Sequence, residues 1–157
     1  METHISDAEV RILAPGDASV LNQVAPGVFD RPIDSRWTRE FLTDPRHHLA
    51  VAIDATVVVG MASAVHYLHP DKPPELWINE VGVAATHRRT GLARRLLHTL
   101  FAHGRTLGCT QAWVLADESN AAARALYAGA GGRPAAEAAV MYEFPLADAS
   151  PAEPPSR

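Results

Sequence analysis

Val81-Gly82-Val83-Ala84-Ala85-Thr86-His87-Arg88-Arg89-Thr90-Gly91-Leu92-Ala93-Arg94-Arg95-Leu96-Leu97 is the stretch from which the rest of the chain can be read. It passes from an extended Val-x-Val, through a short basic loop with one glycine, into an amphipathic helix. That order builds an anion site. The first N–H groups of a helix have no intrahelical acceptor, and the helix dipole adds partial positive charge there. Gly91 lets the backbone approach a bulky ligand, and Arg88 and Arg89 add full charges. The natural guest is a phosphate-bearing cofactor.

Outward from this loop, the pattern is that of one mixed α/β domain. Glu9 to Ala14 reads as a first strand, followed by a helix over Ala18 to Val24 that Pro26-Gly27 breaks. Asp34 is placed to cap a second helix, Ser35 to Thr43, which Asp44-Pro45 ends. His48 to Ile53 and Val57 to Tyr67 form a hairpin across Asp54-Ala55, and Glu75 to Val83 is extended again. Gly91 to Leu107 is the clearest helix, with Leu92, Leu96, Leu97, Leu100, Phe101 and Leu107 on one face. Gln111 to Ala116 is the next strand, Asn120 to Ala128 an alanine-rich helix, and Val140 to Phe144 a final strand. Residues 1–146 make the single domain. Ala147 to Arg157, with three prolines, reads as a disordered tail.

Composition narrows the function classes. The 157 residues suffice for one core, and 47% hydrophobic with 20% charged residues is the balance of a globular domain. A net charge of −4 argues against nucleic acid as partner. The single cysteine, Cys109, cannot form an intrachain disulfide and suits a reducing, cytoplasmic setting. Met1 to His4 opens no signal peptide, and no apolar run approaches the roughly 20 residues of a membrane helix. The eight histidines are scattered, without metal-ligand spacing, so no metal is expected.

The basic loop lacks the Lys-Ser/Thr of a P-loop and the Gly-x-Gly-x-x-Gly of a dinucleotide fingerprint. Arg88-x-x-Gly91-x-Ala93 after Val-x-Val instead resembles the pyrophosphate motif of the GCN5-related N-acetyltransferase (GNAT) superfamily, Arg/Gln-x-x-Gly-x-Gly/Ala. Asn120-Ala121-Ala122-Ala123-Arg124-Ala125-Leu126-Tyr127 resembles the superfamily's Asn-x-x-Ala-x-x-Leu-Tyr. The two motifs come in the right order with a strand between them. Taken alone, Asn120 is a helix N-cap and Tyr127 a core aromatic. One departure is Ala93, where many members have glycine; an alanine still offers its N–H.

The resemblance implies a mostly antiparallel, twisted sheet of six to seven strands, with helices on both faces and a splay between the fourth and fifth strands. It implies acetyl-CoA as co-substrate, held by Val81, Val83, Arg88, Arg89, Thr90, Gly91, Leu92, Ala93, Arg94, Asn120 and Tyr127. The Val81 N–H would polarise the thioester carbonyl, the Asn120 side chain would meet the pantetheine, and Tyr127 would sit near the sulfur as the acid. A protonated amine needs a general base before it attacks, and Glu80, beside Val81, is the choice. Direct transfer leaves Cys109 without a necessary role.

Glu75, Trp77 and Glu80, with His87-Arg88-Arg89 and Val140-Met141-Tyr142-Glu143-Phe144, resemble the corresponding features of aminoglycoside 3-N-acetyltransferases. Glu80 departs from that group's Asp, and Asn120 from its Asp-Asp-Pro helix start. Glu75, Trp77, Glu80 and His66 are the acceptor-site candidates; Asp71, Glu118 and His69 are weaker ones. The expected acceptor is a small cationic amine, with an aminoglycoside leading. Another small amine or a peptide amine is the alternative within the enzyme class. A non-catalytic acetyl-CoA sensor is the alternative outside it. Many members of this fold are homodimers, but nothing in the sequence marks an interface.

Overall fold

The computed structural model describes residues 7–147. The expected tail, apart from Ala147, and Met1 to His4 lie outside them. Five strands form one sheet in chain order: β1 (Glu9–Ile12), β2 (His47–Asp54), β3 (Val57–Tyr67), β4 (Glu75–Val83) and β5 (Ala112–Val114). The first four are antiparallel neighbours, and β5 runs parallel to β4. Helix α1 (Ser35–Thr43) lies between β1 and β2 in sequence, α2 (Leu92–Thr106) between β4 and β5, and α3 (Ala121–Gly129) after β5. No helix among the described residues is long and apolar enough to cross a membrane.

Alternation in β3 decides how α2 sits. Gly60, Ala62 and Ala64 point to one face, and a Cβ built on Gly60 would lie 3.1 Å from Leu96 Cδ1. These small residues let α2 lie close to the sheet. Leu92, Leu96, Leu97 and Leu100 are buried against it, as the 3.6-residue period predicts, while Phe101 is partly buried. The hairpin between β2 and β3 turns through Ala55 and Thr56, with Ala55 at φ +55°. An alanine in that region costs about 1–2 kcal/mol.

Asp34 caps α1, its carboxylate accepting from the Arg36 and Trp37 N–H groups at 2.9 and 3.0 Å. Three expectations are corrected. The segment read as a helix over Ala18 to Val24 is a 3-10 helix spanning Pro15–Asn22. Leu21 is its only buried residue, with Val20 partly buried beside it, so no 3.6-residue stripe exists to reward an α-helix. The strand expected over Gln111 to Ala116 keeps only Ala112–Val114. The strand expected over Val140 to Phe144 is absent, so among the described residues the sheet has five strands, not six or seven. Val140, Met141, Tyr142 and Phe144 are 68–78% exposed. A strand needs a partner ladder, and the free edge of β5 is three residues long.

Candidate active site

The cleft starts where β4 and β5 part. Their parallel ladder pairs Leu76 with Ala112, Trp77 with Trp113 and Ile78 with Val114, and then ends. β4 continues to Val83 with a strand neighbour, among the described residues, on the β3 side only. At the same point the β3–β4 register shifts: Ala64 pairs with Ile78 but Ser63 with Glu80, leaving Asn79 as an extra residue. This β-bulge changes which way the end of β4 faces. Strict alternation would put Glu80 on the α2 face with Leu76 and Ile78. The bulge turns it to the opposite face, beside Trp77 and Glu75, and leaves Val81 and Val83 on the α2 face opposite Ala62 and Gly60. Glu80 is exposed and, among the described residues, makes no ion pair.

Gly82 shares the Glu80 side of β4. A Cβ there would collide with the backbone carbonyl of Val28, so the 23–33 loop is seated against bare β4 backbone. A cavity of about 800 Å³ opens beside that loop, with Phe29, Asp30, Arg31 and Arg39 in its lining.

After β4, Ala84 is tied back by its N–H to the Val59 carbonyl at 2.8 Å, and Ala85–His87 make one 3-10 turn. Arg89 and Gly91 both take positive φ, +62° and +77°. Such alternation turns successive N–H groups toward one concavity, an anion nest. Gly91 N-caps α2, and the first intrahelical bond is Arg95 N–H to Gly91 O at 3.1 Å, so Leu92, Ala93 and Arg94 keep free N–H groups within the helix. A Cβ on Gly91 would meet nothing within 4 Å. The requirement there is backbone conformation and room for a guest. The Thr90 hydroxyl donates to His87 O at 2.6 Å, and His87 Nε2 is 2.9 Å from an Asp54 carboxylate oxygen, which locks the loop onto the β2–β3 hairpin. Among the described residues no carboxylate pairs with Arg88, Arg89 or Arg94; the Arg94 guanidinium extends to Gly129 of α3. Free N–H groups, unpaired cations and a cradle without side-chain obstruction fit a pyrophosphate.

Asn120 caps α3, its Oδ1 accepting from Ala123 N–H at 3.0 Å, so its amide nitrogen remains for a ligand. Tyr127, two turns on, is half-buried and lines a cavity of about 320 Å³ with Ile78, Leu97, Trp113 and Val114, at the vertex of the splay. Burial pushes the Tyr127 phenol above its ordinary value, so it stays protonated at neutral pH.

Not every candidate joins this group. Glu75 lies 3.9 Å from Lys72 Nζ, which offsets its charge, and 3.6 Å from His69 Nε2. His66, an acceptor candidate by sequence, pairs across β3–β4 with Leu76 and hydrogen-bonds His48; it faces α2, away from Glu80. Trp77 and Trp113 stand edge to face at 86° on the Glu80 side. Gly82, Asn79 and Trp113 were missed by sequence reasoning; only Gly82 carried a signal, as an isolated glycine inside a strand.

The sequence model of the Acetyltransferase (GNAT) family matches residues 19–131, well over half of the chain. No curated protein matches significantly. Among solved structures, the fold is similar to an aminoglycoside acetyltransferase from an uncultured soil metagenomic sample, at 22% identity and TM-score 0.75, over 90% of this chain and 100% of that one. It is also similar to the aminoglycoside N-acetyltransferase AAC(6')-Iy in complex with CoA, at 18% identity and TM-score 0.71, over 92% and 99% of the two chains. A ribosomal-protein-alanine N-acetyltransferase from Brucella melitensis biovar Abortus 2308 matches at 18% identity and TM-score 0.68, over 87% and 99%. The chain belongs to the GNAT acetyltransferase family, whose co-substrate is acetyl-CoA.

Proposed function

We propose that this N-acetyltransferase acetylates a primary amine of a small cationic acceptor, with an aminoglycoside as the leading class, by direct transfer in a ternary complex. The observation that carries this reading is the bulge at Asn79. It puts Glu80 on the open face, one residue before Val81, where β4 leaves β5.

Acetyl-CoA supplies the acetyl group as an activated thioester. Arg88, Arg89, Thr90 and the N–H groups from Gly91 to Arg94 hold its pyrophosphate. The edge of β4 at Val81 and Val83, where β5 no longer pairs with it, takes the pantetheine as an added strand would, the Val83 carbonyl exchanging its 3.3 Å bond from Arg88 Nε for one from the ligand. The Asn120 amide meets the same arm. The Val81 N–H points at the thioester oxygen. Glu80 accepts a proton from the acceptor ammonium and so frees the attacking lone pair. The Tyr127 hydroxyl donates its proton to the departing thiolate. Base and acid thus work from opposite faces of the sheet, the acceptor arriving on the Glu80 side and the cofactor on the α2 side.

Support for a cationic acceptor comes from the exposed carboxylate of Glu80, which has no ion-pair partner among the described residues, with Trp77 on the same face of the strand. The large cavity by the 23–33 loop offers one carboxylate, Asp30, against Arg31 and Arg39. Charge recognition of a polycation therefore falls to β4. The decisive experiment is thiol release from acetyl-CoA with gentamicin, sisomicin, apramycin, kanamycin, spermidine and a lysine peptide. Turnover confined to the aminoglycosides supports the leading acceptor. Turnover only with spermidine or the peptide keeps the transfer chemistry and discards that acceptor. Bound acetyl-CoA with no turnover on any amine favours a sensor.

A further inference from the structure

Three histidines that the transfer chemistry does not use form a continuous hydrogen-bonded row. His48 of β2 shares its Nε2 with His66 Nδ1 of β3 at 2.8 Å, and its Nδ1 with His103 Nε2 of α2 at 2.9 Å. His48 is only 5% exposed, whereas His66 and His103 are partly open. The row crosses from the sheet to the last turn of the helix whose first turn carries the cofactor loop. Its N···N separations are those of N–H···N bonds. Among the described residues, no group of three ligands has a metal-holding arrangement.

Counting protons limits what this row can do. A neutral imidazole has one N–H and one lone pair. With both nitrogens engaged, His48 has two arrangements: it donates to His103 while accepting from His66, or the reverse. Each satisfies both hydrogen bonds. One extra proton fits at the outer nitrogen of whichever terminal ring donates inward. A second does not. It would have to enter the inner nitrogen of the far ring, which already faces an N–H of His48, and His48 cannot reverse because its other nitrogen accepts from the charged ring.

We propose that the His66–His48–His103 row is a one-proton switch: it takes up one proton with its hydrogen bonds intact, and the second proton breaks it and releases the last turn of α2. Nothing nearby compensates that second charge. Among the described residues, none of the three rings has an ion-paired carboxylate. The other titratable and charged groups facing His48 are His47, at the start of β2, and Asp44, just before it. The Asp44 carboxylate is engaged by Arg46 at 2.7 Å. Burial and the neighbouring imidazoles hold His48 well below the ordinary imidazole value, at about 4, and burial also lowers His103.

The test is long-range ¹⁵N–¹H NMR of the imidazoles in the full chain from pH 8 to pH 4, with amide exchange across α2. Once one terminal ring is charged, the other is expected to stay neutral with its hydrogen on the nitrogen turned away from His48. The second terminal ring is expected to protonate more than about one pH unit lower, together with faster exchange at 103–106. In H66N the His103 midpoint is expected to rise and the acid loosening of α2 to move to lower pH. H103Q gives the corresponding readout on His66 should H66N fail to fold. With one terminal ring charged, the other found neutral with its hydrogen facing His48, equal midpoints for His66 and His103, or indifference of each to loss of the other overturns the proposal.

Discussion

The two halves of the cofactor cleft are anchored very differently. On one side, β4 and α2 bury Leu76, Leu92, Leu96, Leu97 and Leu100 almost completely. On the other, β5 is three residues long and α3 has no buried residue, only Leu126 and Tyr127 partly covered against the core. Yet each half carries one of the two sequence motifs. The proposed pyrophosphate loop therefore sits on well-buried scaffold, while Asn120 and Tyr127 ride on an element with little apolar burial to fix it. Low local burial is where proteins open sub-globally. On the proposed function, the difference would leave loop and base preorganised and α3 the more mobile partner.

The largest effect is expected at Leu96, in the strongly buried half. Leu96→Ala empties a site in contact with Gly60 and should cost about 2–5 kcal/mol in denaturant unfolding, lowering amide protection throughout β1–β4 and α2. A loss confined to α2 would mean the strong half is not one unit. Next, Gly91→Val forces a β-branched residue into φ +77° at the cofactor cradle. The acetyl-CoA KM should rise on the order of tenfold or more, because the strain falls where the guest binds and no core contact is touched. An unchanged KM would remove the loop from the cofactor site.

Acid sharpens the contrast, since the buried histidine lies in the strong half. The folded value of His48, about 4, is below the ordinary 6.5 of the unfolded chain, so between these values the unfolded state binds more protons. Stability from this group is complete above about pH 6.5, falls as pH drops toward 4, and changes no further below it. Urea midpoints at pH 7, 5.5 and 4 should decline in that order, and less steeply in H48Q; a flat series would contradict it. Asn120→Ala removes the α3 cap and should cost about 1 kcal/mol, read as faster exchange in α3 with β1–β4 unaffected. Smallest of all, Tyr142→Ala in the exposed segment should stay within about 0.5 kcal/mol in the monomer.

What could be read from sequence follows the same division. The limits of β3, β4 and α1 and the core face of α2 were legible because local period, capping and burial agree there. The bulge was not: Asn79 carries no glycine or proline signal, and the register shift comes from pairing with Ser63 and Ala64 far along the chain. Its consequence is the orientation of Glu80, so sequence named the residue without giving its face. Alternation in Val140 to Phe144 reads as a strand, but alternation records only which residues would share a face, not whether an edge exists to receive them. The histidine row is invisible for a related reason, since its members are 18 and 55 positions apart.

The most direct measurement is Glu80→Gln, compared with wild type in both acetyl-CoA binding and steady-state turnover with the best acceptor. A base on the open face, separate from the cofactor cradle, predicts unchanged acetyl-CoA affinity and a kcat about 10²–10⁴-fold lower, with part of the loss recovered at higher pH where the acceptor amine is already neutral. Full activity in Glu80→Gln, or a loss explained wholly by weaker acetyl-CoA binding, would contradict the assignment of Glu80 as the base.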